Sequence, residues 1–186
     1  MRYAKIEEYE VSNGHLGGQS LYVQGCRFRC PNCFNPETWD FNGGKEWTPE
    51  VEDKFIELAS RPYIKRISLL GGECLADENL DGVLNLVNKI RLLLPSKTIW
   101  LYSGYTFEEC QPFSEDSILK PNDFAQNLQK ILKKRWEIIK SVDVLVDGRY
   151  IDSQRNIQLK YRGSENQREI DIQESLQKGK VILFCE

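Results

Sequence analysis

Five short stretches of the chain are nearly continuous in apolar, β-branched and aromatic residues: 20–24 (SLYVQ), 66–70 (RISLL), 98–103 (TIWLYS), 142–147 (VDVLVD) and 181–184 (VILF). Runs of this length without polar alternation have the pattern of strands buried on both faces. Between them apolar positions recur with helical period. Thr48-Pro49-Glu50 opens one helix, continued by Val51, Phe55 and Leu58; Thr48 can accept from free amides, Pro49 suits the first helical position and Glu50 favours the helix dipole. Leu80, Val83, Leu84, Val87, Ile90 and Leu94 form a second stripe, stopped by Pro95, and Phe124, Leu128, Ile131, Leu132, Ile138 and Ile139 form a third. Strands alternating with helices predict βαβ units and a mostly parallel sheet. The 186 residues fall short of the about 250 that a closed eight-stranded barrel takes. The expectation is therefore an α/β fold, an open or partial βα barrel, in a single domain over 1–186. Residues 111–123, rich in Pro, Ser, Asn and Asp, read as a surface excursion.

Parallel strands place the loops that follow them on one rim, where ligands gather. The polar sequences that follow strands here are a cysteine-rich loop, Gly71-Gly72-Glu73, Gly104-Tyr105 and Asp147-Gly148, and the active site is expected there. Charge changes the picture little. The net charge is −3 and the pI near 5.4, and Lys130, Lys133, Lys134 and Arg135 read as the solvated face of a helix, so no nucleic-acid partner is expected. The N-terminal sequence has no apolar targeting core and no stretch approaches the about 20 apolar residues that span a bilayer, so no membrane partner is expected and the location should be cytoplasmic.

Six cysteines stand at 26, 30, 33, 74, 110 and 185. Three of them, Cys26, Cys30 and Cys33, make C-x3-C-x2-C within GCRFRCPNCFN, which favours metal ligation over disulfides. Three thiolates from one loop can each hold one iron of a [4Fe–4S] cube and leave the fourth iron open to a small molecule. A zinc knot completed by Cys74, Cys110 or His15 is the structural alternative, and a simple electron carrier a second. Gly71 and Gly72 permit close backbone approach to a ligand, and Glu73 can accept from an ammonium group. Cys74 is expected as a small core residue.

The three-cysteine spacing resembles the radical S-adenosylmethionine (SAM) superfamily. The longer blocks SLYVQGCRFRCPNCFNPETWDFNGG (20–44), ISLLGGECL (67–75), KTIWLYSGYTFEE (97–109), DVLVDGRY (143–150) and RGSENQRE (162–169) resemble the activating proteins of anaerobic (class III) ribonucleotide reductase. The resemblance implies a partial βα barrel of the radical SAM type and one [4Fe–4S] cluster on Cys26, Cys30 and Cys33. It implies SAM near Asn32, Cys33, Phe34, Gly71, Gly72 and Glu73, with Ser103 and Tyr105 on the same rim. The implied reaction is hydrogen abstraction from a glycine of the large reductase subunit, which is the implied partner. An electron donor such as flavodoxin and a homodimer or a complex with the reductase are implied as well. Another glycyl-radical enzyme such as pyruvate formate-lyase, or a small molecule, is the alternative target, and a non-catalytic metal-binding or electron-transfer module the alternative class. Two departures stand out: Cys74 follows Glu73 where the family has proline, and the family's N-G-x-G-x-R has no arginine counterpart after Asn13-Gly14.

Overall fold

The computed structural model describes residues 1–114 and 123–185; most of the expected excursion at 111–123 lies outside the described residues. One sheet of seven strands organises the chain, in the order β3-β1-β2-β4-β5-β6-β7. These are β1 (Arg2–Glu10), β2 (Gly18–Val23), β3 (Lys45–Glu46), β4 (Arg66–Gly71), β5 (Thr98–Tyr102), β6 (Val144–Asp147) and β7 (Arg168–Asp171). The central four, β2, β4, β5 and β6, run parallel. β1 lies antiparallel to β2 and β3, and β7 antiparallel to β6. The sheet is α/β and not closed. The crossovers are α1 (Pro49–Ala59), α2 (Leu80–Leu93) and α3 (Asp123–Lys140), and α4 (Ile172–Lys178) follows β7.

The helices begin and end where local chemistry directs. Thr48 Oγ1 accepts from the Val51 amide ahead of Pro49, as the sequence predicts. Asp171 accepts from the Glu174 amide at 2.9 Å and Gly179 turns left-handed after α4. No described helix is long and apolar enough to cross a membrane.

Strand alternation divides the molecule into two faces. Leu21 and Val23, Ile67 and Leu69, Ile99 and Leu101, and Leu145 point into the core that the helices cover. The opposite face carries rows fixed by register: Ser20 pairs with Ser68, Ser68 with Trp100 and Trp100 with Val144. The next row toward the strand C-termini brings Tyr22, Leu70, Tyr102 and Val146 alongside one another. Below these rows Arg66, fully buried, donates to Glu10 Oε1 at 2.7 Å, to the Glu10 and Leu16 carbonyls and to Ser68. Gly14 is required there, because a side chain would strike Arg66 and Trp100. Tyr161 and Phe184 pack edge-on against Trp100 at 5.2 and 5.1 Å.

Three expectations need correction. Residues 181–184 do not form a strand; they make one isolated bridge, Ile170 to Leu183, and the strand beside β6 is β7. β1 and β7 do not stand out in sequence, since both are half-solvated and mix polar with apolar residues. Arg135 is buried and not on a solvated face: it donates to the Leu75 carbonyl and to Asp77, both at 2.9 Å.

Candidate functional site

The loop after β2 turns on Gly25, whose φ of +100° and tight fit against Phe41 exclude a side chain. Backbone bonds sew this loop to its neighbours. Gly25 N donates to Thr38 O at 2.7 Å, Glu73 N to Gly25 O at 2.8 Å and Gly72 N to Val23 O at 2.9 Å. A side chain on Gly72 would meet the Gly25 and Val23 carbonyls, so the glycine allows this close approach. Buried Gln24 clamps the returning chain by donating to Glu37 O and Asp40 O. Asn79 donates to both Gln24 O and Glu73 O at 3.0 and 2.9 Å, pinning the two loops together from the start of α2.

Cys26, Cys30 and Cys33 are part-exposed and line one cleft of about 530 Å³ at the C-terminal ends of the parallel strands. Two residues between them are left-handed, Arg29 at φ +47° and Asn32 at φ +54°, which coils the loop so that all three thiols face the cleft. The Cys33 amide donates to Cys30 O at 3.1 Å and the Asn35 amide to Cys33 Sγ at 3.4 Å. Burial raises the Cys26 and Cys30 thiols. The other cysteines stand apart. Cys74 and Cys110 are fully buried in the core, where loss of water pushes Cys74 well above the ordinary thiol range and Cys110 up to about 12. Cys185 is exposed, and His15 packs beside Phe184 at the N-terminal end of β2. Among the described residues no three His, Cys, Asp or Glu side chains are arranged around a single metal ion.

The cleft also contains Phe34, Gly71, Gly72, Glu73, Ser103 and Gly104, so the rim anticipated from the loop positions does assemble. Two of the expected cofactor contacts lie outside its lining. Asn32 turns its amide to Asp152 Oδ2 at 2.8 Å. Tyr105 packs edge-on against Phe28 at 4.8 Å and under Arg135 at 3.8 Å, lining a separate hollow of about 130 Å³. Glu73 is 3% exposed and its carboxylate is engaged within the protein: Oε1 accepts from Leu75 N and Ser103 Oγ, Oε2 from Gly104 N, each at 2.8 Å. Burial raises its pKa, against these three hydrogen bonds. Glu73 thus staples the loop after β4 to the loop after β5 while lining the cleft. Deeper in, the Tyr102 hydroxyl is buried without a partner among the described residues, and burial holds it protonated well above its ordinary range.

A roof over the cysteine loop comes from residues 148–167, which sequence reasoning largely missed. Asp152 accepts from both Asn32 and Tyr150 at 2.8 Å, Tyr150 packs on Phe34 at 5.1 Å, and Gly163 lets Phe34 approach where a side chain would collide. The block 162–168 is bonded to itself and to the roof: Arg162 donates to Gln167 O and Glu165 O, Gln167 to Gly148 O and Asn166 to Arg149 O. Asp147 is 1% exposed and accepts from Arg168 and the Phe107 amide, so it anchors the rim from below. Asp152 is the sequence signal that could have revealed the roof, being the one acid beside VDGRY.

The donor set and the cleft fit an iron–sulfur cube with a bound small molecule. A cube presents separate irons, each taking one thiolate, so its cysteines need not converge on one point. The pendant volume beside them is walled by the Gly71-Gly72 backbone. The family described as a 4Fe-4S single cluster domain matches residues 13–170. The chain is similar to the anaerobic ribonucleoside-triphosphate reductase-activating protein of Vibrio cholerae, 35% identical over 169 residues, covering 90% of this chain and 96% of the relative. The protein of the same name from Escherichia coli K12 is 31% identical with the same coverage, and that of Enterobacteria phage T4 is 31% identical over 90% of this chain and 92% of its own length.

Proposed function

This chain belongs to the family of anaerobic ribonucleoside-triphosphate reductase-activating proteins, and from that premise we propose that it is a radical SAM glycyl-radical activase. The carrying observation is that Cys26, Cys30 and Cys33 line one cleft with the Gly71-Gly72-Glu73 loop while Cys74 and Cys110 are sequestered in the core. Held by Cys26, Cys30 and Cys33 beside the Gly71-Gly72 backbone, a [4Fe–4S] cluster and SAM would supply the one-electron reductive chemistry needed for hydrogen abstraction from a glycine of the large reductase subunit.

The chain's own residues hold, orient and exclude. The three thiolates ligate the cluster, releasing their protons as they do so. Gly71 and Gly72 offer backbone to the methionyl end of SAM, held in place by the Glu73 staple and the Asn79 pin. Phe34 and the 148–167 roof keep water from the reactive region, and Ser103 supports Glu73. The open sheet with its parallel centre serves as the partial βα barrel of this chemistry, in one domain across 1–186. The setting is the cytoplasm, where thiols stay reduced, with an external one-electron donor of the flavodoxin kind and a dimer or a reductase complex as the working assembly.

The test is anaerobic reconstitution with iron and sulfide, reduction with SAM, and mixing with the large reductase subunit. A glycyl-radical doublet by electron paramagnetic resonance, with release of 5′-deoxyadenosine, is the expected result. Cleavage of SAM without that doublet would move the target to another protein or a small molecule. No cleavage by a fully loaded cluster would remove the radical chemistry.

A further inference from the structure

Eight of the eleven arginines hold a carboxylate within ion-pair distance. Among the described residues the other three, Arg29, Arg149 and Arg155, hold none, and all three are exposed around the cysteine loop. Arg29 stands between Cys26 and Cys30. The Arg149 guanidinium lies 4.3 Å from the centre of the Phe28 ring, also between those cysteines. That of Arg155 lies 5.6 Å from the ring of Phe34, which follows Cys33. Asp152 is the acid whose titration feels Arg155, and it is already engaged by Asn32 and Tyr150. In a chain of net charge −3, the arginines left without a carboxylate are thus gathered on the face nearest the three thiols. A guanidinium resting on a ring keeps its planar N–H edge available for carboxylates.

We propose that Arg29, Arg149 and Arg155 form a docking collar for the acidic face of a protein that carries a one-electron redox centre, and that they steer this donor onto the cysteine loop. The inference rests on the reading that Cys26, Cys30 and Cys33 hold a reducible cluster. A partner seated on these three side chains sets its own redox group beside that loop, and opposed charges raise the rate of productive encounter. Arg149 and Arg155 also border the cleft, but Arg29 is not part of its lining and Arg162, which is, already holds Glu169 at 3.2 Å, so an anion confined to the cleft would leave Arg29 unused. In the encounter the donor's reduced centre loses one electron and the cluster gains it, and no bond to the protein forms or breaks.

The experiment uses the reconstituted protein and, as probe, an acidic flavodoxin in its fully reduced form. Binding is measured by calorimetry, and cluster reduction by stopped-flow absorbance across a range of salt. Wild-type reduction should slow steeply with salt. Arg29→Gln alone should slow it at low salt, and the triple Arg→Gln variant should slow it about tenfold and flatten the salt dependence. The triple Arg→Lys variant, which keeps the charge, should recover most of the rate. Reduction of Arg29→Gln by photoreduced neutral deazaflavin should match wild type. Unchanged flavodoxin binding and salt dependence in a fully loaded Arg29→Gln and triple Arg→Gln protein would overturn the collar. So would a slower rate explained wholly by a lower cluster potential with binding intact, or a loss confined to SAM affinity or to the large reductase subunit. Failure of wild-type protein to assemble a cluster is a different outcome and strikes the functional proposal itself.

Discussion

At the scale of single residues the site separates cysteines by environment. Cys26, Cys30 and Cys33 sit on a coiled loop open to the cleft, and Cys74 and Cys110 sit where a thiolate is disfavoured. Replacing any of the first three by alanine should abolish both cluster loading and SAM cleavage, read as iron content and 5′-deoxyadenosine, because two thiolates do not hold the cube. Cys74→Ser should instead keep its iron and lose about 1–3 kcal/mol of stability in urea unfolding, the cost of a poorly partnered buried hydroxyl. Glu73→Gln tests the staple. An amide nitrogen facing the Gly104 or Leu75 N–H, or the Ser103 hydroxyl, forfeits at least one of the three hydrogen bonds, so SAM should bind about tenfold more weakly, from the loss of about 1.4 kcal/mol. Calorimetry should show this with cluster content intact, and unchanged SAM affinity would leave Glu73 without a positioning role.

At the scale of elements, the parallel centre was legible in sequence because β2, β4, β5 and β6 are buried on both faces and carry uninterrupted apolar runs. α1 was legible from Thr48 and Pro49, and the rim from the loops that follow the strands. β1, written RYAKIEEYE, pairs on both sides but is half-solvated, and β7 earns its place only by pairing with β6, so neither carries a local signature. The Asn79 pin and the 148–167 roof depend on contacts between distant parts of the chain, to which local patterning is blind. β4 and the end of β1 join in the Glu10–Arg66 pair. Burial pushes the Glu10 carboxyl up, but hydrogen bonds from Ser20 and Arg66, the Arg66 charge and Ser12 bring it down from 4.5 to about 2. A lowered native value means that the pair's stabilisation is complete above about pH 4.5 and lost as pH falls toward about 2. Glu10→Gln should therefore cost about 3 kcal/mol near neutrality, by leaving Arg66 buried without its counter-charge, and the gap to wild type should narrow in acid. A constant gap across that range would place the effect elsewhere. Leu69→Ala, in the helix-covered face of β4, should cost about 3 kcal/mol with no dependence on pH.

At the scale of the whole molecule, one face of the sheet is spent on a helix-covered core and the other on a cleft with a polar floor, a cysteine rim and a roof. The Glu10–Arg66 floor closes the N-terminal end of the strands, and the loops at their C-terminal ends are tied by backbone bonds, Glu73 and Asn79. Rigidity at the rim is what an open-coordinated cluster requires, since its ligand must meet backbone that does not drift. The central claim is that three thiolates hold a cube with one iron left to a small molecule. It is tested most directly by Mössbauer spectroscopy of protein reconstituted with iron-57, recorded before and after SAM is added. The expected result is a [4Fe–4S] signal in which the parameters of a single iron change on adding SAM. Iron sites indifferent to SAM, or a stably bound zinc ion on the same cysteines, would contradict it.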